Sequence, residues 1–190
     1  MPEQSEWEVQ LAMAGLSVQK TAVIPAGAIP PAVAGQMVSC LPGDTRSESW
    51  VDVEDPLLHE KANSDWYRLS ITNGLFEEDD PTFFIALQPL GEEGPSQWIC
   101  VTLQPSWDLM GKGAAGLLGS AHGRPEFLAL SRDGSVLCCG TTSQFAIGTV
   151  VVTSPDRSEV LRRFARYLST SEIGYPESRA AARRWLDSTE

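Results

Sequence analysis

Histidine, cysteine and, over the first 110 residues, cations are all scarce in this 190-residue chain. His59 and His122 are the two histidines, and Cys40, Cys100, Cys138 and Cys139 the four cysteines. No CxxC pair occurs, so the metal-ligand spacings of zinc and iron–sulfur sites are absent and neither a metal nor another cofactor is expected. Cys138 and Cys139 are adjacent, which in a strand points them to opposite faces. All but Cys40 lie in apolar runs, and the four read as reduced, packed thiols. No G-x-S-x-G elbow is present. No apolar run approaches the roughly 20 residues of a membrane span. The opening Met-Pro-Glu-Gln-Ser-Glu lacks the basic region of a secretory signal. A cytoplasmic protein with no membrane association is the expectation.

The shortage of cations is uneven. Residues 1–110 carry Lys20, Arg46, Lys61 and Arg68 against 17 acidic residues, whereas the remainder holds 10 basic and 8 acidic ones; the net charge is −11. Such a surface repels nucleic acid phosphate, which excludes a nucleic-acid partner and points to a protein with a basic surface. A hydrophobic content of 42% and six Trp are enough for a substantial core. The length suits a single domain over residues 1–190. Within it, residues 1–45 are expected to be a loosely structured segment, because Pro25, Gly27, Pro30, Pro31, Gly35 and Pro42 prevent a continuous helix. A short element at 7–18 and one helical turn at 32–38 are its regular parts.

The remaining pattern predicts an α+β fold: an antiparallel sheet of about six strands, with two C-terminal helices packed on one face. Strands are expected near 66–72 (Trp-Tyr-Arg-Leu-Ser-Ile-Thr, ended by Asn73-Gly74), 82–88, 97–103, 126–130, 135–139 and 145–152. The alternation Trp50-Val51-Asp52-Val53-Glu54 reads as an edge strand. Gly91-Glu92-Glu93-Gly94-Pro95 joins two strongly apolar strands, and Asp133-Gly134 makes a hairpin whose central residues both need positive φ. Ser154 caps a helix near 156–169, with Pro155 in its first position and Val160, Leu161, Phe164, Tyr167 and Leu168 on one face. A last helix near 177–187 buries Ala181, Ala182 and Trp185.

Four groups of residues invite a chemical reading. Gly111-Lys112-Gly113-Ala114-Ala115-Gly116 fits G-x-G-x-x-G by letter, but Pro105 and Trp107 separate it from the preceding strand; it reads as a Gly-rich loop. Ser120 and His122 make a nucleophile–base pair conceivable, with no orienting carboxylate in view. Glu77-Glu78-Asp79-Asp80 lacks the alternating oxygen ligands of a calcium loop and reads as a solvated loop. That loop, with Trp66 and Trp107 beside loops as aromatic anchors, is the expected partner-binding surface.

Phe127-Leu128-Ala129-Leu130, Asp133-Gly134-Ser135-Val136, a further strand and the helix at 158–168 together resemble the C-terminal part of SUKH-type immunity proteins. Val23-Ile24-Pro25 and Ile29-Pro30 are similar to the proline-bearing opening segment of the fourth SUKH family; the Gly and aromatic signature usual near the family's start is not visible. The resemblance covers about a quarter of the chain and implies an α+β fold and an immunity role, neutralising a partner toxin, with no catalytic residues. The expected function is therefore non-catalytic protein binding through an acidic surface. The alternatives are a secretion-chaperone-like binder of an effector, and a small hydrolase using the Ser120/His122 loop.

Overall fold

The computed structural model describes residues 5–41, 43, 45–88, 93–120 and 122–189. Their order is α1 (Glu6–Met13), β1 (Leu16–Val18), α2 (Pro31–Ala34), β2 (Arg46–Asp52), α3 (Leu58–Asn73), β3 (Thr82–Leu87), β4 (Gln97–Leu103), β5 (Phe127–Leu130), β6 (Val136–Thr142), β7 (Ala146–Thr153), α4 (Glu159–Thr170) and α5 (Pro176–Ser188). The fold is α+β. Seven strands pair antiparallel throughout in the order β1-β4-β3-β5-β6-β7-β2. Met1 to Gln4, Pro42, Gly91, Glu92 and Ala121 of the sequence expectations lie outside the described residues.

Both faces of the sheet are covered, which is why its central strands read as continuous apolar runs rather than alternating ones. Phe83, Ile85, Val101, Phe127, Ala129, Cys138 and Val151 face α3 and the 109–118 segment. Phe84, Trp98, Leu130, Leu137, Cys139, Val150 and Val152 face α4 and α5, which contribute Leu161, Ala165, Leu168, Ala182 and Trp185. The same core takes Ile29, Val33, Ala34, Met37 and Cys40, all buried, from the Pro/Gly-rich segment expected to be loose. Proline there starts structure as well as blocking it: Pro31 occupies the first turn of α2, which runs into a 3-10 turn over Gly35–Ser39. The element at 7–18 divides into α1 and the edge strand β1.

One expected strand is a helix. Residues 66–72 belong to α3, whose buried positions Ala62, Trp66, Leu69 and Ser70 follow the helical period. Asn73-Gly74 is accordingly its stop and not a strand-ending turn: Gly74 has φ +80, and Leu75 N–H donates to Ser70 O (2.8 Å). The helix carries the chain from β2, at one edge of the sheet, across to β3. Two local corrections accompany it. The hairpin between β5 and β6 needs positive φ only at Gly134 (+79), because the connection spans residues 131–135 and Asp133 accepts from Ser131 Oγ (2.6 Å) and Ser135 N–H (3.0 Å). The cap of α4 is Ser158, whose Oγ accepts from Leu161 N–H (3.4 Å); Ser154 and Pro155 open a separate 3-10 turn.

Candidate functional site

Trp98 fixes one wall of a large cleft. Its ring is buried on β4, and its indole N–H donates to Ile29 O (2.7 Å), holding the Pro-rich segment against the sheet. Residues 24–28 turn back there, with Ala28 N–H donating to Pro25 O (3.0 Å). The opposite wall is the start of α5, where Tyr175 precedes Pro176 and is 44% exposed. Between these walls lies a cleft of about 920 Å³, bordered also by Ile24, Ala32, Pro95 and Ala181. It adjoins a second cleft of about 540 Å³ and shares Pro31, Ala32, Pro95 and Tyr175 with it. The floor of the second is the stretch of sheet that the helices leave open, with Ala86, Leu128, Cys139 and Thr141 along it.

Together the two clefts make an elongated, mainly apolar groove. Among the described residues its charged members are Glu93, Glu126 and Glu177 against Arg184, so its rim is net negative. Cys139 does not make the floor reactive. Burial pushes its thiol up to about 12, so it stays protonated at neutral pH. Burial likewise raises Cys138 on the other face and Cys100. Cys100, Cys138 and Cys139 are free thiols.

The residues singled out from the sequence lie elsewhere. Glu77, Glu78, Asp79 and Asp80 are exposed, and Asp80 pairs with Arg132 (2.9 Å). This acidic loop precedes β3, whereas Ala86 and Gln88 of the groove sit at its far end, roughly 20 Å along the strand. Trp66 is 0% exposed and offers no partner a surface. It packs edge-on to Trp107 (5.4 Å between ring centres) and near Phe76 (5.8 Å) and Phe83 (5.9 Å). Trp107, half-buried, also stacks on Tyr67 (5.6 Å) and belongs to the same aromatic core.

Asp108 explains the Gly-rich segment. Its carboxylate caps a tight turn over Leu109–Gly113, accepting from Gly111 N–H (2.8 Å), Lys112 N–H (3.0 Å) and Asn63 Nδ2 (2.7 Å). Burial pushes this carboxyl up. The bonds from Asn63, Lys112 and Gly111 and the nearby charge of His59 outweigh burial, and the net displacement is downward. A Cβ at Gly111 would lie 2.7 Å from the Asp108 carboxylate, and one at Gly119 only 1.8 Å from Ala114 O. These glycines serve close packing, and their spacing is unrelated to a phosphate cradle. Ser120 and His122 sit on the turn that follows, where Gly123 N–H donates to Ser120 O (2.9 Å) and Ser120 N–H to Arg124 O (2.8 Å). His122 is exposed, and neither residue borders the groove.

Among the described residues no group of three or more His, Cys, Asp or Glu is placed to hold a metal ion, and no helix is long and apolar enough to cross a membrane. No protein-family model, no curated protein and no solved structure matches the chain.

Proposed function

We propose that this protein is a non-catalytic binding module that takes a segment of a partner protein, apolar and flanked by basic residues, into the groove between the Pro-rich segment and α5. The observation that carries this reading is the joined pair of clefts with an apolar lining and carboxylates at the rim. Apolar walls favour desolvated side chains, and the rim charges select what flanks them. The acidic loop at 77–80 lies too far away to touch the same short segment. It acts on the approach, raising the rate at which a basic partner arrives. The encounter takes place in the cytoplasm, which suits the unpaired thiols of Cys100, Cys138 and Cys139.

Two biological forms fit this module. The resemblance to SUKH proteins leads to an immunity role, with a basic toxin as the partner. The elongated groove favours a second form, a secretion-chaperone-like hold on an extended stretch of an effector. Photo-crosslinking in the native cell tests the module itself. A crosslinker at Ala32 or Tyr175 should trap one partner through an apolar segment bearing Lys or Arg, and a crosslinker at Glu172 should not. Equal labelling from the groove and from position 172 would overturn the assignment. The identity of the trapped chain, toxin or secreted effector, distinguishes the two forms.

A further inference from the structure

Strand β2 ends the sheet, and no described segment pairs with its outer side. Seven residues long, it pairs with β7 from Arg46↔Val152 to Asp52↔Ala146 without a bulge. At the two ends of the pair, Thr153 N–H donates to Thr45 O (3.4 Å) and Val53 N–H to Phe145 O (2.9 Å). Antiparallel bonding alternates, so the odd-numbered residues of β2 bond to β7. The N–H and C=O groups of Arg46, Glu48, Trp50 and Asp52 therefore turn outward. Natural sheets blunt such an edge with proline, a bulge or charged side chains. This edge has neither proline nor bulge, and its charges have both signs.

Those charges are self-complementary in one register. We infer that β2 pairs antiparallel with β2 of a second copy of this chain, centred on Ser49, to make a continuous two-fold sheet. Arg46 then lies opposite Asp52 of the other copy, twice by symmetry, and Glu48 opposite Trp50. Sliding by one pairing step sets Glu48 against Glu48 in one direction and Glu48 against Asp52 in the other, both repulsive. A shift by a single residue fails because it brings inward-bonded groups to the edge. The centred register supplies about four backbone hydrogen bonds from the Glu48 and Trp50 pairs alone. Arg46 is set in place for it, since its guanidinium donates to Val38 O (2.9 Å) and Cys40 O (2.7 Å) and pairs with Glu48. Trp50, 41% exposed over Gly148, and Phe145, 67% exposed at the strand's end, give the contact an apolar component. The pairing is isologous, so it closes at two copies.

Sedimentation velocity on the full chain up to about 1 mM, with hydrogen exchange on the same samples, tests the pairing. The expected result is a monomer–dimer equilibrium in which the Glu48 and Trp50 amides gain protection as concentration rises. The Ser47 and Ser49 amides should be protected throughout. Asp52→Lys, which sets two cations opposite each other, should weaken the dimer at least tenfold. Mild oxidation should link Ser49→Cys to itself, because a centred non-bonded pair has Cα atoms about 4.5 Å apart, and should leave Ser47→Cys, about 13 Å from its copy, unlinked. Only monomer at every concentration, a dimer indifferent to Asp52→Lys, or equal linking at both positions would overturn the inference.

Discussion

Adjacent side chains on one strand meet different surroundings. Cys138 faces α3, with Ser70 Oγ 3.9 Å from its sulfur, while Cys139 faces the α4 and α5 core and the floor of the groove. Burial raises both thiols, so neither forms a thiolate readily. Alkylation with iodoacetamide at pH 8 should leave all four cysteines unmodified in the folded protein and modify all four in urea, read by mass spectrometry. Fast modification of Cys139 in the native state would mean that the groove floor is more open than its 2% exposure indicates. Asp108 is the matching case among the acids. Its folded carboxyl lies below the ordinary value, so the stabilisation it gives is present above about pH 4 and fades as pH falls through the folded value. Asp108→Ala should cost about 1 kcal/mol in urea unfolding at pH 7, and measurably less at pH 3.

At the scale of elements, legibility depended on how much of each pattern a short window contained. The strands at β3, β4 and β7 and the final helices were readable because apolar content, turn residues and caps agreed. The α3 helix was not. Its C-terminal half, Trp-Tyr-Arg-Leu-Ser-Ile-Thr, has β-branched and aromatic residues at strand-like intervals, and Asn73-Gly74 serves equally as a hairpin turn or a helix stop. The deciding signal lay upstream, in Leu58 and Ala62 at helical spacing from Trp66, all three of which pack in the same core. Gly74→Ala tests the corrected reading. An added Cβ meets nothing within 4 Å, so the cost comes from φ +80 alone and should be about 1 kcal/mol. Unchanged stability in chemical unfolding would remove the left-handed cap. The groove was illegible for another reason: its walls and floor come from residues 24–38, 86–88, 93–98, 126–141 and 175–185, and only the sheet order brings them together. Pro30 and Pro31 read as breakers of a continuous helix and Pro176 as a helix start, yet all three line a common cavity with Tyr175. The tryptophans misled in the opposite direction, since Trp66 beside a loop in sequence is central in space.

For the whole molecule, charge and shape divide the work. The first 110 residues carry the negative excess, with the exposed acidic loop at one end of β3 and the groove at the other. Long-range attraction and short-range fit are thereby separable, and so are their mutants. Calorimetry with the purified partner is the most direct test of a groove that binds an apolar, basic-flanked segment. It should compare the native chain with Ala32→Trp, which fills the space between the Pro-rich segment and Tyr175, and with Glu77, Glu78 and Asp79 changed together to Gln, Gln and Asn. The account predicts at least a tenfold loss of affinity for Ala32→Trp, and for the charge variant only slower association with a weaker salt dependence. Undiminished affinity in a folded Ala32→Trp protein would contradict it.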